Sequence, residues 1–232
     1  MFKNITHVFF DLDHTLWDFE TNSREALSEI FEKFDLGNRG VRGPIDFIRV
    51  YEKINHRMWD EYRKGERSKA RLRKDRFPTA LSLFEIKDND LAIEINEYYL
   101  EHSPRKPNLF DHAHNTLDYL SEKYKLYIIT NGFQEIQTIK MHNSGLDHYF
   151  EETITSEMVG VRKPDPKIFA YALNRGNARP DQSVMIGDDA DVDVVGAQKC
   201  GMKGIFFNPN EIGHEKEVDK EISSLSELKS IL

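Results

Sequence analysis

From about residue 110 onward, stretches that favour helix alternate with short runs that favour strand, and this alternation constrains the fold more than any other feature of the sequence. The strand-forming runs are Leu126–Thr130, Thr153–Thr155, Ser183–Gly187 and Gly204–Phe207, each followed by a helical segment or a long turn. A chain that returns to its sheet through helices builds parallel strands covered on both faces. A further strand lies far upstream, where Ile5–Phe10, dominated by β-branched and aromatic residues, runs into the acids of Asp11-Leu12-Asp13. Between that strand and Pro104 the periodicity is helical only. Ala26, Leu27, Ile30, Phe31 and Phe34 fall at three- and four-residue steps, and Phe47, Tyr51, Ile54 and Met58 repeat the pattern. Ser68–Phe84 and Asp88–Leu100 read as two further helices with Ser68 and Asp88 as N-caps. The expected fold is α/β: a Rossmann-like parallel sheet flanked by helices, formed by residues 1–18 and 106–232, with an all-helical domain inserted at 19–105 over the carboxyl ends of the strands. Asn208–Lys220 reads as a polar loop before a last short element, Leu225–Leu232.

With 232 residues, 39% hydrophobic and 31% charged, the chain can bury a sizeable core in one large domain or two modest ones. A formal net charge of −8 argues against a nucleic-acid polymer or an acidic membrane as partner. Cys200 is the sole cysteine, which excludes an intramolecular disulfide and fits a reducing compartment. No apolar stretch approaches the roughly 20 residues needed to span a bilayer, and the N-terminal run is too short for a signal peptide. The expectation is a cytoplasmic monomer or weak homodimer acting on a small molecule.

Open α/β sheets place ligands at the carboxyl ends of their strands, and four strand ends here are polar. Asp11-Leu12-Asp13-His14-Thr15 offers two carboxylates suited to a divalent cation and acid–base work. Thr130-Asn131-Gly132 offers a hydroxyl and a glycine turn before a helix near Phe133, where backbone N–H groups can hold a phosphate. Lys163-Pro164-Asp165-Pro166 presents one ammonium group, with Asp165 as N-cap and Pro166 at the first helical position. Gly187-Asp188-Asp189, followed by Asp191 and Asp193, packs four acids into six residues, which repel one another unless a cation or base neutralises them. Taken singly, each segment has an ordinary reading as a helix cap or a solvated loop. Their order, each after a strand, points to one site.

In these four segments the sequence resembles the haloacid dehalogenase superfamily of hydrolases, and the resemblance covers essentially the whole chain. The helical insert is similar to that superfamily's C1-type cap. Dehalogenases of the superfamily lack an acid at the position of Asp13, whereas its phosphatases and phosphomutases have one. Asp11–Phe19 together with Tyr62-Arg63-Lys64-Gly65 resembles, more narrowly, the bacterial pyrimidine 5′-nucleotidase branch.

The resemblance implies a Mg²⁺-dependent phosphatase that hydrolyses phosphate monoesters through an aspartyl-phosphate. It implies Asp11 as nucleophile and metal ligand, Asp188 and the backbone carbonyl of Asp13 as further metal ligands, and Lys163, Thr130, Asn131 and Gly132 as phosphate holders. Asp13 serves as acid and base, with a pKa expected to be raised by the neighbouring carboxylates, and Thr15, Asp189 and Asp193 steady the site. His14 reads as a loop residue. Nucleoside monophosphates lead as substrates; sugar phosphates are the alternative, with phosphomutase and 2-haloacid dehalogenase activity behind. A signalling module phosphorylated on aspartate shares the acid, Thr and Lys but lacks such an insert. Within the insert, Glu61–Arg76 carries eight Lys/Arg residues against three acids, an attraction for anions in which Arg63 and Lys64 are the candidate substrate contacts. Trp17, Phe19 and Trp59 are read either as stacking surfaces for a base or as core.

Overall fold

The computed structural model describes residues 2–232. In chain order the elements are β1 (His7–Phe10), α1 (Phe19–Lys33), α2 (Pro44–Arg63), α3 (Lys69–Ser82), α4 (Asn89–His102), α5 (Ala113–Ser121), β2 (Lys125–Thr130), α6 (Gln134–Asn143), β3 (Glu152–Thr155), α7 (Ser156–Val159) and α8 (Pro166–Gly176). They continue with β4 (Ser183–Gly187), a π-helical turn (Ala190–Val195) running into α9 (Gly196–Gln198), β5 (Lys203–Phe207), β6 (Lys220–Ile222) and α10 (Leu228–Ile231). The chain divides into two compact units, one made of the residues through Phe19 with Pro107–Leu232, the other of Glu20–Lys106.

In the first unit the six strands form one parallel sheet in the order β3-β2-β1-β4-β5-β6. Side chains alternate faces along each strand, so the sheet has two cores. Val8, Phe10, Ile128, Val184, Ile186 and Ile205 pack with Leu117 and Leu120 of α5 and Leu228 of α10. Phe9, Tyr127, Ile129 and Met185 pack on the other face with Ile168, Phe169 and Ala172 of α8. From β1 the chain builds outward through β2 and β3, then crosses to β4 on the other side of β1. The strand order reverses between β1 and β4, which opens a crevice at their carboxyl ends. Phe10 is level with Ile128 and Ile186, so Asp11 leaves the sheet beside the last residues of β2 and β4.

The second unit is four helices around their own core. Ala26, Leu27 and Ile30 of α1, Phe47 and Tyr51 of α2, Phe77 and Leu81 of α3, and Leu91, Ile95 and Tyr99 of α4 meet there, at the helical spacings seen in the sequence. Ser68 and Asp88 cap α3 and α4, accepting from the amides of Arg71 and Leu91. Tyr51, Phe77 and Tyr99 form a ring cluster with centroids 4.7–5.4 Å apart. The buried Arg76 guanidinium lies over the Tyr51 and Tyr99 rings and donates to Asn55 Oδ1 at 3.0 Å.

The structure departs from expectation at the sheet's edges and at one helix start. β6 occupies Lys220–Ile222, where the loop Asn208–Lys220 was expected to end without a strand. Only Ile222 of that Lys-Glu-Ile run is buried, so a short charged edge strand leaves no apolar run to read. α1 begins at Phe19, seven residues before Ala26, the first of its periodic apolar positions. No described helix is long and apolar enough to cross a membrane.

Phe9 is fully buried in the central strand and stacks on Tyr127 at 5.2 Å. Replacing it with alanine is expected to cost about 3–5 kcal/mol, read as a lower urea midpoint at unchanged slope.

Candidate active site

A tight turn follows β1. Its last ladder bond is the Asp11 amide donating to the Ile186 carbonyl at 2.9 Å, and the amides of Leu16 and Trp17 then fold back onto the Leu12 carbonyl at 3.0 and 2.9 Å. His14 sits at the corner with φ 62°, its amide donating to the Trp17 carbonyl. This turn lets Asp11 and Asp13 face different partners.

Asp11 meets Lys163. The ammonium of Lys163, 1% exposed, lies 2.8 Å from Asp11 Oδ1 and 2.7 Å from Asp193 Oδ1. These are buried ion pairs. Three devices hold the lysine in place. The Asn131 side chain accepts from the Lys163 amide at 2.8 Å and donates to its carbonyl at 3.0 Å. Asp165 caps α8 by accepting from the Lys167 amide, with Pro166 opening the helix. Asp193 is fixed by the Asp189 amide, which donates to its Oδ2 at 3.2 Å, and it fits only because residue 187 is glycine: a Cβ there would lie 2.3 Å from Asp193 Oδ2. Asp189 caps the π-helical turn, accepting from the amides of Asp191 and Val192. Thr15, fully buried, donates to Asp188 Oδ1 at 3.1 Å.

The electrostatics of this cluster are unbalanced. Burial works against the Lys163 ammonium, but Asp11 and Asp193 outweigh it and raise its pKa. Burial pushes Asp11 up against the pull of Lys163, and pushes Asp193 well above the ordinary range for the same reason. Burial and the neighbouring Asp11 carboxylate raise Asp188 to about 8. Three carboxylates against one ammonium leave uncompensated negative charge out of water, which a divalent cation would relieve. One oxygen from each of Asp11, Asp188 and Asp193 lies within 4.8 Å of the others. An all-oxygen donor set of this kind fits Mg²⁺. The carboxylate of Asp13, the residue expected to ligate through its backbone carbonyl, is not in this group.

That carboxylate is held from α6. The Lys140 ammonium pairs with Asp13 Oδ1, and Gln137 Nε2 donates to Asp13 Oδ2 at 2.8 Å. Burial works to raise the Asp13 pKa, but the Lys140 charge and the hydrogen bonds from Lys140 and Gln137 outweigh it, and the pKa is lowered. This corrects the expected upward shift: the nearest charge in space is an ammonium remote in sequence, not the carboxylates nearby along the chain. Gln137 Nε2 also donates to Thr130 Oγ1 at 2.8 Å. Gly132 is not presented as an amide donor to phosphate as expected, because its N–H donates to Thr130 Oγ1 at 3.0 Å. The glycine serves another need, since a Cβ on it would lie 2.2 Å from Gln137 Nε2. With both of these donors arriving at its oxygen, Thr130 keeps its own proton to donate.

Lys140 and Gln137 are the residues that sequence reading missed. A polar pair at i and i+3 on the helix after Gly132 reads as a solvated face, and only the fold shows that both side chains are buried. Trp17 is not an exposed stacking surface: it is fully buried, with the Lys140 ammonium 4.1 Å from its ring. Trp59 stands edge-on to Tyr62 in α2. In the helical unit Arg63 pairs with Asp60, and Arg67 pairs with Glu61 at 2.6 Å and Asp75 at 2.7 Å, so the basic stretch is partly neutralised where it stands. Lys64, just after α2, is exposed.

Comparison with known proteins gives a consistent setting. A family model described as haloacid dehalogenase-like hydrolase matches residues 5–201. The pyrimidine 5′-nucleotidase YjjG of Escherichia coli strain K12 is 29% identical over 232 residues, spanning 97% of this chain and 96% of its own. A glyceraldehyde 3-phosphate phosphatase of Methanothermobacter thermautotrophicus is 30% identical, spanning 97% of this chain and 98% of its own. Among solved structures, the HAD-hydrolase YfnB of Bacillus subtilis, bound to magnesium, matches with a TM-score of 0.87 at 26% identity, covering 99% of each chain.

The crowding of carboxylates predicts a conflict between stability and cation binding. Asp188 has a raised pKa in the folded state, so its contribution to stability is lost as pH rises from the ordinary carboxylate range through about 8. Asp188→Asn, which cannot ionise but still accepts from Thr15, is expected to melt roughly 3 °C above the parent at pH 8 without metal, the effect of about 1 kcal/mol in a protein of this size. At pH 4 the two should coincide, and millimolar Mg²⁺ should raise the melting temperature of the parent alone.

Proposed function

We propose that this chain, which belongs to the haloacid dehalogenase-like hydrolase family and is a phosphoric monoester hydrolase, acts as a Mg²⁺-dependent 5′-nucleotidase on pyrimidine nucleoside monophosphates. The observation that carries this reading is the buried Lys163 ammonium between Asp11 and Asp193, with Asp188 alongside and a second, separately held acid in Asp13. The nucleotide preference is supported by the full-length similarity to YjjG and to the pyrimidine 5′-nucleotidase PynA of Streptococcus pneumoniae.

Unaided hydrolysis of a phosphate monoester is so slow that the site must lower the barrier by on the order of 20 kcal/mol. An Asp11 oxygen attacks phosphorus, the bond from phosphorus to the ester oxygen breaks, and Asp13 delivers a proton to that leaving oxygen. Asp13 then takes a proton from water as the water oxygen attacks the aspartyl-phosphate. The bond between phosphorus and Asp11 breaks, releasing inorganic phosphate. Although Lys140 lowers the Asp13 pKa, an arriving phosphate dianion works in the opposite direction and restores its affinity for the proton it must give. Lys163 neutralises charge on the phosphoryl oxygens while the Thr130 hydroxyl donates to one of them. Mg²⁺, which Asp11, Asp188 and the Asp13 carbonyl would hold with Asp193 beside them, would supply the positive charge that lets a carboxylate approach a dianion. Substrate selection is assigned to the helical unit, with Lys64 among its exposed cations, in a protein working as a cytoplasmic monomer or weak homodimer. The similarity to glyceraldehyde 3-phosphate phosphatases supports a second reading, a sugar-phosphate phosphatase.

Phosphate release from a panel of nucleoside monophosphates and sugar phosphates, with Mg²⁺ and with chelator, tests the reading. The expected result is Mg²⁺-dependent turnover with uridine and thymidine monophosphates at least about tenfold ahead, a difference of 1.36 kcal/mol in the barrier. A reversed ranking selects the second reading. Asp11→Asn should abolish both turnover and phosphoenzyme, whereas Asp13→Asn should lose about 10²–10⁴-fold in rate while still labelling slowly with ³²P. Full activity in either variant overturns the assigned roles.

A further inference from the structure

We propose that Gln137 and Lys140 are positioning residues that lock the Asp13 carboxylate for proton transfer and tie it to the phosphate-holding hydroxyl of Thr130. This inference rests on the phosphatase reading of the site. Both residues lie on the inner face of α6, three positions apart, and are only 1% and 5% exposed. Burying an ammonium costs several kcal/mol unless it is paired, and a helix that only had to pack would put an apolar residue at each position. What the two side chains touch accounts for their presence. Lys140 holds Asp13 Oδ1 while its charge lies 4.1 Å from the Trp17 ring and 5.5 Å from the Phe19 ring. The aromatic faces favour the cation and confine the ammonium to one side of Asp13. Gln137 spends both hydrogens of one amide nitrogen on two functional oxygens, Asp13 Oδ2 and Thr130 Oγ1, each at 2.8 Å. Its own Oε1 is buried without a partner. An unsatisfied buried acceptor carries a cost, and the arrangement accepts that cost to keep both donors on the site. Gly132 makes the approach feasible, since any side chain there would overlap Gln137.

With one oxygen held by an ammonium and the other by an amide, the Asp13 carboxylate cannot rotate about its last torsion. The lone pair that exchanges a proton with the leaving oxygen, and later with water, therefore has a fixed direction. Because the same amide holds Thr130, the acid–base group and the phosphoryl-oxygen donor move together. Neither Gln137 nor Lys140 needs to touch the substrate; they act through Asp13 and Thr130.

The test compares the first chemical step for two leaving groups. Rapid-quench measurement of the leaving-group burst uses uridine 5′-monophosphate, whose alkoxide needs a proton, and 4-nitrophenyl phosphate, whose phenolate does not. Lys140→Met and Gln137→Leu are each expected to slow the nucleotide burst about 10–100-fold, part of the 10²–10⁴ that general acid catalysis supplies. The aryl burst should change less than about threefold and the nucleotide KM should stay within a factor of about three, the split expected when an interaction made in the transition state is lost. Lys140→Arg, which keeps the charge, should recover part of the loss. The ratio of the two bursts does not depend on the fraction of protein that is folded, and either variant alone suffices if the other fails to fold. An unchanged ratio, whether both bursts fall together or neither falls, overturns the positioning role. A wild-type protein that releases the leaving group from neither ester, even with enzyme in excess, refutes the phosphatase reading instead, so the two failures are distinguishable.

Discussion

The buried ion pair of Lys163 with Asp11 and Asp193 is the constraint around which the catalytic unit is arranged. An ammonium removed from water is tolerable only where carboxylates meet it within ion-pair distance, and here one arrives from the end of β1 and the other from the turn that follows its neighbour β4. The lysine belongs to neither strand. Its loop is bound to the end of β2 through Asn131, which grips the amide and the carbonyl of the same residue. Its second carboxylate comes from a π-helical turn, whose irregular winding is frequent at functional sites and is started by the Asp189 cap. Gly187 and Gly132 matter for a related reason: at both, a methyl group would occupy space already taken by a functional side chain. Strand order, caps and glycines together bring one charge to one place.

Much of this was readable from the sequence because a parallel sheet maps its site onto strand ends. Asp11, Thr130 and Asp188 could each be picked out as the polar residue that ends an apolar run, Lys163 as the ammonium of a proline-bounded loop after another strand, and alternation with helices implied that those ends share an edge. The unread parts lack such a contrast. A lysine and a glutamine on a helix ordinarily face water, so nothing local distinguishes Gln137 and Lys140 from solvated residues; only contact with Asp13 does. The same missing contact explains the sign of the Asp13 shift, for proximity along the chain suggested carboxylate repulsion while the fold supplied a cation. Trp17, next to a catalytic turn, looks like a recognition surface until its burial under Lys140 is known.

Charge counting over the helical unit shows the same limit from another side. Eight basic residues in Glu61–Arg76 suggested an open cationic face. The fold spends several of them internally: Arg63 on Asp60, Arg67 on both Glu61 and Asp75, and Arg76 on Asn55 and two tyrosine rings. What a segment offers a ligand is its formal charge less what its own neighbours have already taken. That difference is fixed by helix faces and by contacts between helices, which composition does not record.

Asp11 and Asp13 are chemically the same residue two positions apart, and the fold separates their tasks through environment. Burial raises the pKa of Asp11 against the pull of Lys163, while Lys140 and Gln137 draw that of Asp13 down despite burial. In the proposed reaction the nucleophile must be ionised when it attacks, and Asp11 would reach that state through the positive charge of Lys163 and of a cation bound beside it. Under the proposed reaction a proton carrier must instead change state within each turnover, and the arriving dianion favours the protonated form of Asp13 that gives its proton to the leaving oxygen. Once Asp13 has taken a proton from water and inorganic phosphate has left, Lys140 and Gln137 draw its affinity for that proton down again.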